Sequence, residues 1–207
     1  MKRKIAVVLA LGLVVGSLAG TADAKKKKKP KPVPAPVAVD VKYELGMEGD
    51  ACALSTTPIP GDGDCGSPFW GVLGSELQPE PLGASAVNGL PLTIDATKPI
   101  KGTIVVESYA AVLGPDIVGV GQPSVVITAT ATSGGEEIAL GEFTSDPYLV
   151  TPATVEYPVE FEIAVPAEHD KKVLDGLTLT WEVTGPSMFH GAIQPDGTTN
   201  FTLGAWK

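Results

Sequence analysis

The chain has 207 residues, with 15 Lys or Arg against 24 Asp or Glu and a formal charge of −9. The bases crowd into the N-terminal segment. From Val33 onward six lysines face 23 acids, a charge of −17, and no arginine follows Arg3. That balance excludes a nucleic-acid-binding body, which needs basic surface and arginine forks, and argues against enzymes that clamp phosphates with arginine. A hydrophobic content of 43% suits a folded domain rather than a disordered chain.

Residues 1–24 have the three parts of a secretory signal peptide. Lys2, Arg3 and Lys4 precede an uncharged stretch from Ile5 to Leu18, and Ala22-Asp23-Ala24 supplies the small-x-small cleavage pattern. The mature start is then Lys25. An uncleaved anchor is the alternative, although the apolar run is short for a span of about 20 residues. Thr21 stands where a lipoprotein would need cysteine. After cleavage no transmembrane segment is expected, and the protein is expected to be secreted, extracellular or loosely held at the cell surface.

Residues 25–36 form a stalk. Lys25, Lys26, Lys27, Lys28, Lys29 and Lys31 repel one another, and Pro30, Pro32, Pro34 and Pro36 hold the chain extended. The stalk reads as a solvated spacer. The alternatives are a tether to an anionic cell-wall polymer through those lysines and a tail folded onto the acidic body.

Residues 37–207 read as one β-sandwich domain. Val37, Val39, Val41, Tyr43 and Leu45 alternate with polar or small residues. Val155, Tyr157, Val159, Phe161, Ile163 and Val165 do the same, as do Leu177, Leu179, Trp181 and Val183. Period-two alternation means strands with one buried and one wet face. Pro158 points to an edge strand or a bulge. Leu90 to Ile94, Ile100 to Tyr109 and Ser124 to Ala131 are rich in β-formers. Thr132-Ser133-Gly134-Gly135 predicts a turn into Glu137 to Phe143. Phe189 to Ile193 and Asn200 to Trp206 complete the set. Only Ala167 to Leu174 has helical character, enough for two turns. The expected fold class is all-β, an antiparallel, jelly-roll-like sandwich of about nine strands with at most one short helix.

The chemistry-bearing residues are few. Cys52 and Cys65, two cysteines in an exported region, predict one disulfide. Gly61-Asp62-Gly63-Asp64-Cys65-Gly66 matches a dinucleotide-binding string, but no helix follows to cradle a pyrophosphate. Asp50, Asp62 and Asp64 offer oxygens for a structural calcium, although the spacing is not that of an EF-hand, and an exposed acidic loop is the plainer reading. No other cofactor is expected. His169 lies in a polar turn and reads as a surface residue. Ser187, His190 and Asp196 hold the residue types of a hydrolase triad without a nucleophile elbow. Glu160 and Glu162 could serve glycoside hydrolysis if a cleft held them about 5 to 10 Å apart, but their strand position predicts a solvated face. Trp70 and Trp206 escape the core alternation and are the candidates for a sugar-binding platform, whose flat ring packs on pyranose C–H groups. Capping of sheet ends is the alternative for both.

Pro99-Ile100-Lys101-Gly102 opening one strand, Ser133-Gly134-Gly135-Glu136 linking a hairpin, and Val173-Leu174-Asp175-Gly176-Leu177-Thr178-Leu179 entering a late strand form a series. Over Leu90 to Trp206 it resembles the jelly-roll, galactose-binding-like modules of secreted bacterial hydrolases, and the layout resembles exported proteins of Gram-positive bacteria. The resemblance implies a jelly roll of a kind that binds sugars, calcium or neighbouring domains, and it implies no activity. With no catalytic motif found, the expectation is a non-catalytic extracellular binding module. The alternatives are a small secreted carbohydrate hydrolase and a structural envelope component without ligand.

Overall fold

The computed structural model describes residues 33–57, 65, 82–110, 124–148, 155–184, 189–193 and 198–207. Twelve strands occupy them: β1 (Ala38–Glu48), β2 (Ala51–Ser55), β3 (Leu82–Ala86), β4 (Leu92–Ile94), β5 (Ile100–Ala110), β6 (Ser124–Ser133), β7 (Glu136–Thr144), β8 (Val155–Ile163), β9 (Val173–Leu174), β10 (Gly176–Thr184), β11 (Phe189–Ile193) and β12 (Asn200–Trp206). All nine expected strands are present, and the all-β class stands. No helix among the described residues is long and apolar enough to cross a membrane.

The strands form one curled sheet in the order β11-β5-β12-β1-β2-β3-β10-β6-β7, with β8 on the other side of β5 and β4 continuing beside β12. The two flanks approach where Phe143 of β7 meets Phe161 of β8, ring centroids 6.3 Å apart. Folding the sheet on itself makes a sandwich with one core. Alternation delivers that core: Tyr43 and Leu45 from β1, Val125, Ile127, Ala129 and Ala131 from β6, Val159, Phe161 and Ile163 from β8, and Leu177, Leu179 and Trp181 from β10 are all buried. Tyr43 stacks on Phe201, its register partner on β12, at 5.3 Å.

Local chemistry explains the turns. Gly134 and Gly135 both take positive φ, +60° and +83°, which a two-residue hairpin turn between twisted strands requires. Among the described residues β8 is hydrogen-bonded to β5 alone, so Pro158, opposite Val105, lies on an edge strand where its missing N–H is tolerated. In β7 the register slips by one opposite Ala129 and Thr130, and the extra residue, Leu140, is fully buried.

Three strands go beyond the sequence expectation, and one pair is parallel. β2 and β3 carry Ala, Ser, Cys and Gly rather than β-branched residues, and they pair in parallel through Ala53–Ser85 and Leu54–Ala86. Packing recruits them. Gly83 lies so close to Thr180 that a Cβ would stand 2.9 Å from the threonine methyl, while Ala84 enters the core and Ser85 hydrogen-bonds Thr178 at 2.9 Å. The predicted two-turn helix over Ala167 to Leu174 is instead a single 3-10 turn, Ala167–His169, followed by β9. A helix this short is marginal in water. Lys171 leaves the turn at φ +64°, its N–H donates to the Ile94 carbonyl, and Ile94 N–H donates to Lys172, so sheet pairing takes the groups a helix would have used.

Candidate functional site

An open cleft of about 600 Å³ lies where β1, β4, β9 and β12 converge. Its walls are Asp40, Val41 and Lys42 of β1, Leu92 and Thr93 of β4, Val173 of β9, and Ala205 and Trp206 of β12 with Lys207 beyond. Thr56, Gly89 and Pro91 close one side, and the Leu90–Pro91 peptide is cis. The volume falls in the range of small-molecule sites, about 300–1,000 Å³.

The register places each wall. Trp206 pairs with Ala38 of β1 and Thr93 of β4, so it stands on the outer face with Thr202 and Gly204 while Leu203 and Ala205 point inward. The ring is half-buried, and its indole N–H donates to Asp170 Oδ1 at 3.0 Å. The same oxygen accepts from the Ala96 N–H at 3.2 Å, and Lys171 Nζ is 3.9 Å from Oδ2. The Trp206 hydrogen bond, followed by the Ala96 N–H and the Lys171 charge, holds the Asp170 carboxyl below the ordinary aspartate range against a desolvation effect that raises it. With its only polar atom committed, Trp206 offers a ligand its ring surface.

Asn88 holds the Gly89 side of the cleft. Its Oδ1 accepts from Thr56 N–H at 2.7 Å and Thr56 Oγ1 at 2.9 Å, and its Nδ2 donates to the buried Ser55 Oγ at 2.7 Å. Beneath Gly89 lies Tyr43: a Cβ at Gly89 would be 3.0 Å from its hydroxyl. That hydroxyl is buried without a hydrogen-bond partner among the described residues, and desolvation pushes its pKa up to about 12.

The other candidates separate. Cys52 and Cys65 form the predicted disulfide, with Met47 Sδ 3.8 and 3.9 Å from the two sulfurs. Asp50 is exposed in the turn between β1 and β2, while Asp62 and Asp64 lie outside the described residues, as do Trp70, Ser187, Asp196 and Lys25 to Lys31. Among the described residues no three His, Cys, Asp or Glu side chains converge on a metal position. Glu160 and Glu162 sit exposed on β8, and Glu162 pairs with Lys101 at 2.8 Å. His190 lies in β11 opposite Tyr109. His169, expected at the surface, is half-buried, with Nε2 3.1 Å from the Ala139 carbonyl and Nδ1 buried without a partner among the described residues. The cleft's remaining walls left no local signal, because Thr56, Gly89 and Val173 share the cleft with Trp206 only through pairing among distant strands.

No family model matches the chain, and no curated protein matches it. Among solved structures it is similar to a chain in the structure of infectious bursal disease virus Gt strain, with 13% identity and a TM-score of 0.30. The match covers 85% of this chain and 42% of that one, so this chain spans less than half of its length.

Proposed function

We propose that this protein is an exported, non-catalytic binding module whose Trp206 cleft takes carbohydrate. The observation that carries the reading is the indole: its N–H is fixed by Asp170, its ring is half-buried in a wall of a cleft of about 600 Å³, and Thr93, Thr56, Asp40 and Lys42 line the same cleft. A flat apolar ring ringed by hydroxyls and charges matches the alternating C–H and O–H surface of a pyranose. The signal-peptide pattern of residues 1–24 supports export, and the Lys/Pro pattern of residues 25–36 supports a solvated spacer ahead of the module.

Thermal unfolding of the mature chain against a panel of soluble glycans tests the reading. A ligand that binds the folded state at a hundredfold excess over its Kd adds about 2.7 kcal/mol of stability. A glycan should raise the midpoint in the native protein and not in Trp206→Ala, whose own midpoint fixes the baseline. A glycan shift of equal size in both proteins would remove Trp206 from the site and overturn the assignment.

A further inference from the structure

We infer that the carbohydrate taken by this cleft is an anionic polysaccharide, whose acidic groups are received by a field of lysines on the outer face of the β1–β12–β5 sheet. The inference rests on the carbohydrate reading of the Trp206 cleft and specifies the ligand's charge.

From Val33 onward the chain has six basic residues, Lys42, Lys98, Lys101, Lys171, Lys172 and Lys207. They are far apart in sequence, and the strand register gathers them. Lys42 of β1 and Lys101 of β5 are both paired with Thr202 of β12, so they flank it on one face. Two residues further along β12, a Cβ at Gly204 would lie 2.9 Å from Lys98 Cβ. Lys98 therefore lies across β12 there, and its Nζ reaches Asp40 Oδ1 at 2.6 Å. Trp206 is the next outward residue, and Lys207 shares the cleft wall with Lys42. Lys171 and Lys172 are hydrogen-bonded through their backbones to Ile94 of β4, the strand that meets Trp206 through Thr93.

Alternate residues of a strand recur about 7 Å apart. The outer face from Trp206 past Gly204, which Lys98 covers, to Thr202 thus runs about 14 Å, a length for linked sugars rather than one ring.

The charges in this field are exchangeable. Lys42, Lys98, Lys101 and Lys171 pair with Glu44, Asp40, Glu162 and Asp170 at 2.8, 2.6, 2.8 and 3.9 Å, with lysine side chains 38–69% exposed. Exposed pairs contribute only ~0–1 kcal/mol, so an arriving carboxylate replaces a protein carboxylate at little cost. Lys172 and Lys207 have no carboxylate partner among the described residues. No lysine or arginine of the −17 region stands outside this field, while exposed Glu136, Glu137, Glu142 and Glu156 lie on β7 and β8, strands without a lysine, so a polyanion is repelled there and steered here.

The test measures binding of the mature chain to polygalacturonate, dextran sulfate and uncharged dextran and xylan by calorimetry. Three variants are compared with the native protein: Lys42→Gln/Lys101→Gln, Trp206→Ala, and one with Lys25 to Lys29 and Lys31 changed to Gln. The expected result is polygalacturonate binding that Trp206→Ala abolishes, that the Lys42/Lys101 pair weakens about tenfold at an unchanged unfolding midpoint, and that weakens as salt screens the lysines. The stalk variant should retain it. Trp206-dependent binding of the same strength to dextran sulfate would assign the field to acidic groups in general rather than to uronates, and would still support the inference. Trp206-dependent binding to dextran or xylan, insensitive to salt and to the lysine pair, would overturn the inference and leave the carbohydrate reading intact. Binding lost only in the stalk variant, or no Trp206-dependent binding at all, would overturn both.

Discussion

The indole N–H of Trp206 donates to Asp170 Oδ1 at 3.0 Å, joining the last residue of β12 to the residue that ends the 3-10 turn. Two segments 36 positions apart in sequence thereby fix the orientation of the aromatic ring that walls the cleft.

The contact should have an acid limit. Asp170 titrates below the ordinary aspartate range because the ionised carboxylate accepts from Trp206 and Ala96 and faces Lys171. A depressed folded pKa means that the stabilisation is complete above the unfolded value and is lost as pH falls through the folded one. Tryptophan emission should therefore hold steady down to about pH 4 and shift only below it. Asp170→Asn keeps an acceptor without a titrating group, so the acid shift should vanish while the neutral spectrum stays. Asp170→Ala should alter the spectrum at neutral pH.

Tyr43 predicts the opposite limb. Its buried hydroxyl has no partner among the described residues, and its pKa is raised to about 12. The unfolded chain ionises near pH 10, so stability should fall as pH climbs from there towards 12. Tyr43→Phe removes both the orphaned hydroxyl and the titration. Denaturant unfolding should show a gain of about 1–2 kcal/mol at pH 7 and a flatter alkaline limb.

Gly102 should not tolerate a methyl group. A Cβ there would collide with the Asn200 carbonyl and lie 2.6 Å from Phe201 Cβ and 2.7 Å from Phe161 Cζ. Backbone and two buried rings must move together, so Gly102→Ala should cost about 2–3 kcal/mol in denaturant unfolding. Gly135→Ala at the open hairpin meets no atom within 4 Å and should show only the strain of φ +83°.

The Cys52–Cys65 disulfide closes a loop of sequence separation 13 between half-buried Cys52 near the start of β2 and the buried Cys65. Replacing both cysteines with serine should cost ~3 kcal/mol on chain-entropy grounds. The loss should appear equally on reduction of the native protein, and calorimetry under both conditions checks it.

Alternation made most strands legible. Val159, Phe161 and Ile163, or Leu177, Leu179 and Trp181, can satisfy period two only with one face in a core, and the structure buries both sets. Gly134-Gly135 announced its turn because positive φ at two successive residues suits few others. Two cysteines allowed a single intramolecular pairing. Ala51–Ser55 and Leu82–Ala86 were illegible, since their small residues have little intrinsic preference for strand and gain it from the neighbours that need them small.

The sequence by itself determined the all-β class, the charge asymmetry, the disulfide and the outward position of Trp206, because each depends on composition or on spacing within one segment. Tertiary structure alone decided that Lys42 and Lys101 flank the same threonine, that Asp170 reaches the indole, and that the helix-like segment after Pro166 joins the sheet. Those are contacts between segments tens of residues apart. Pairing register and the competition of β4 for backbone hydrogen bonds set them, and neither is written in any local pattern.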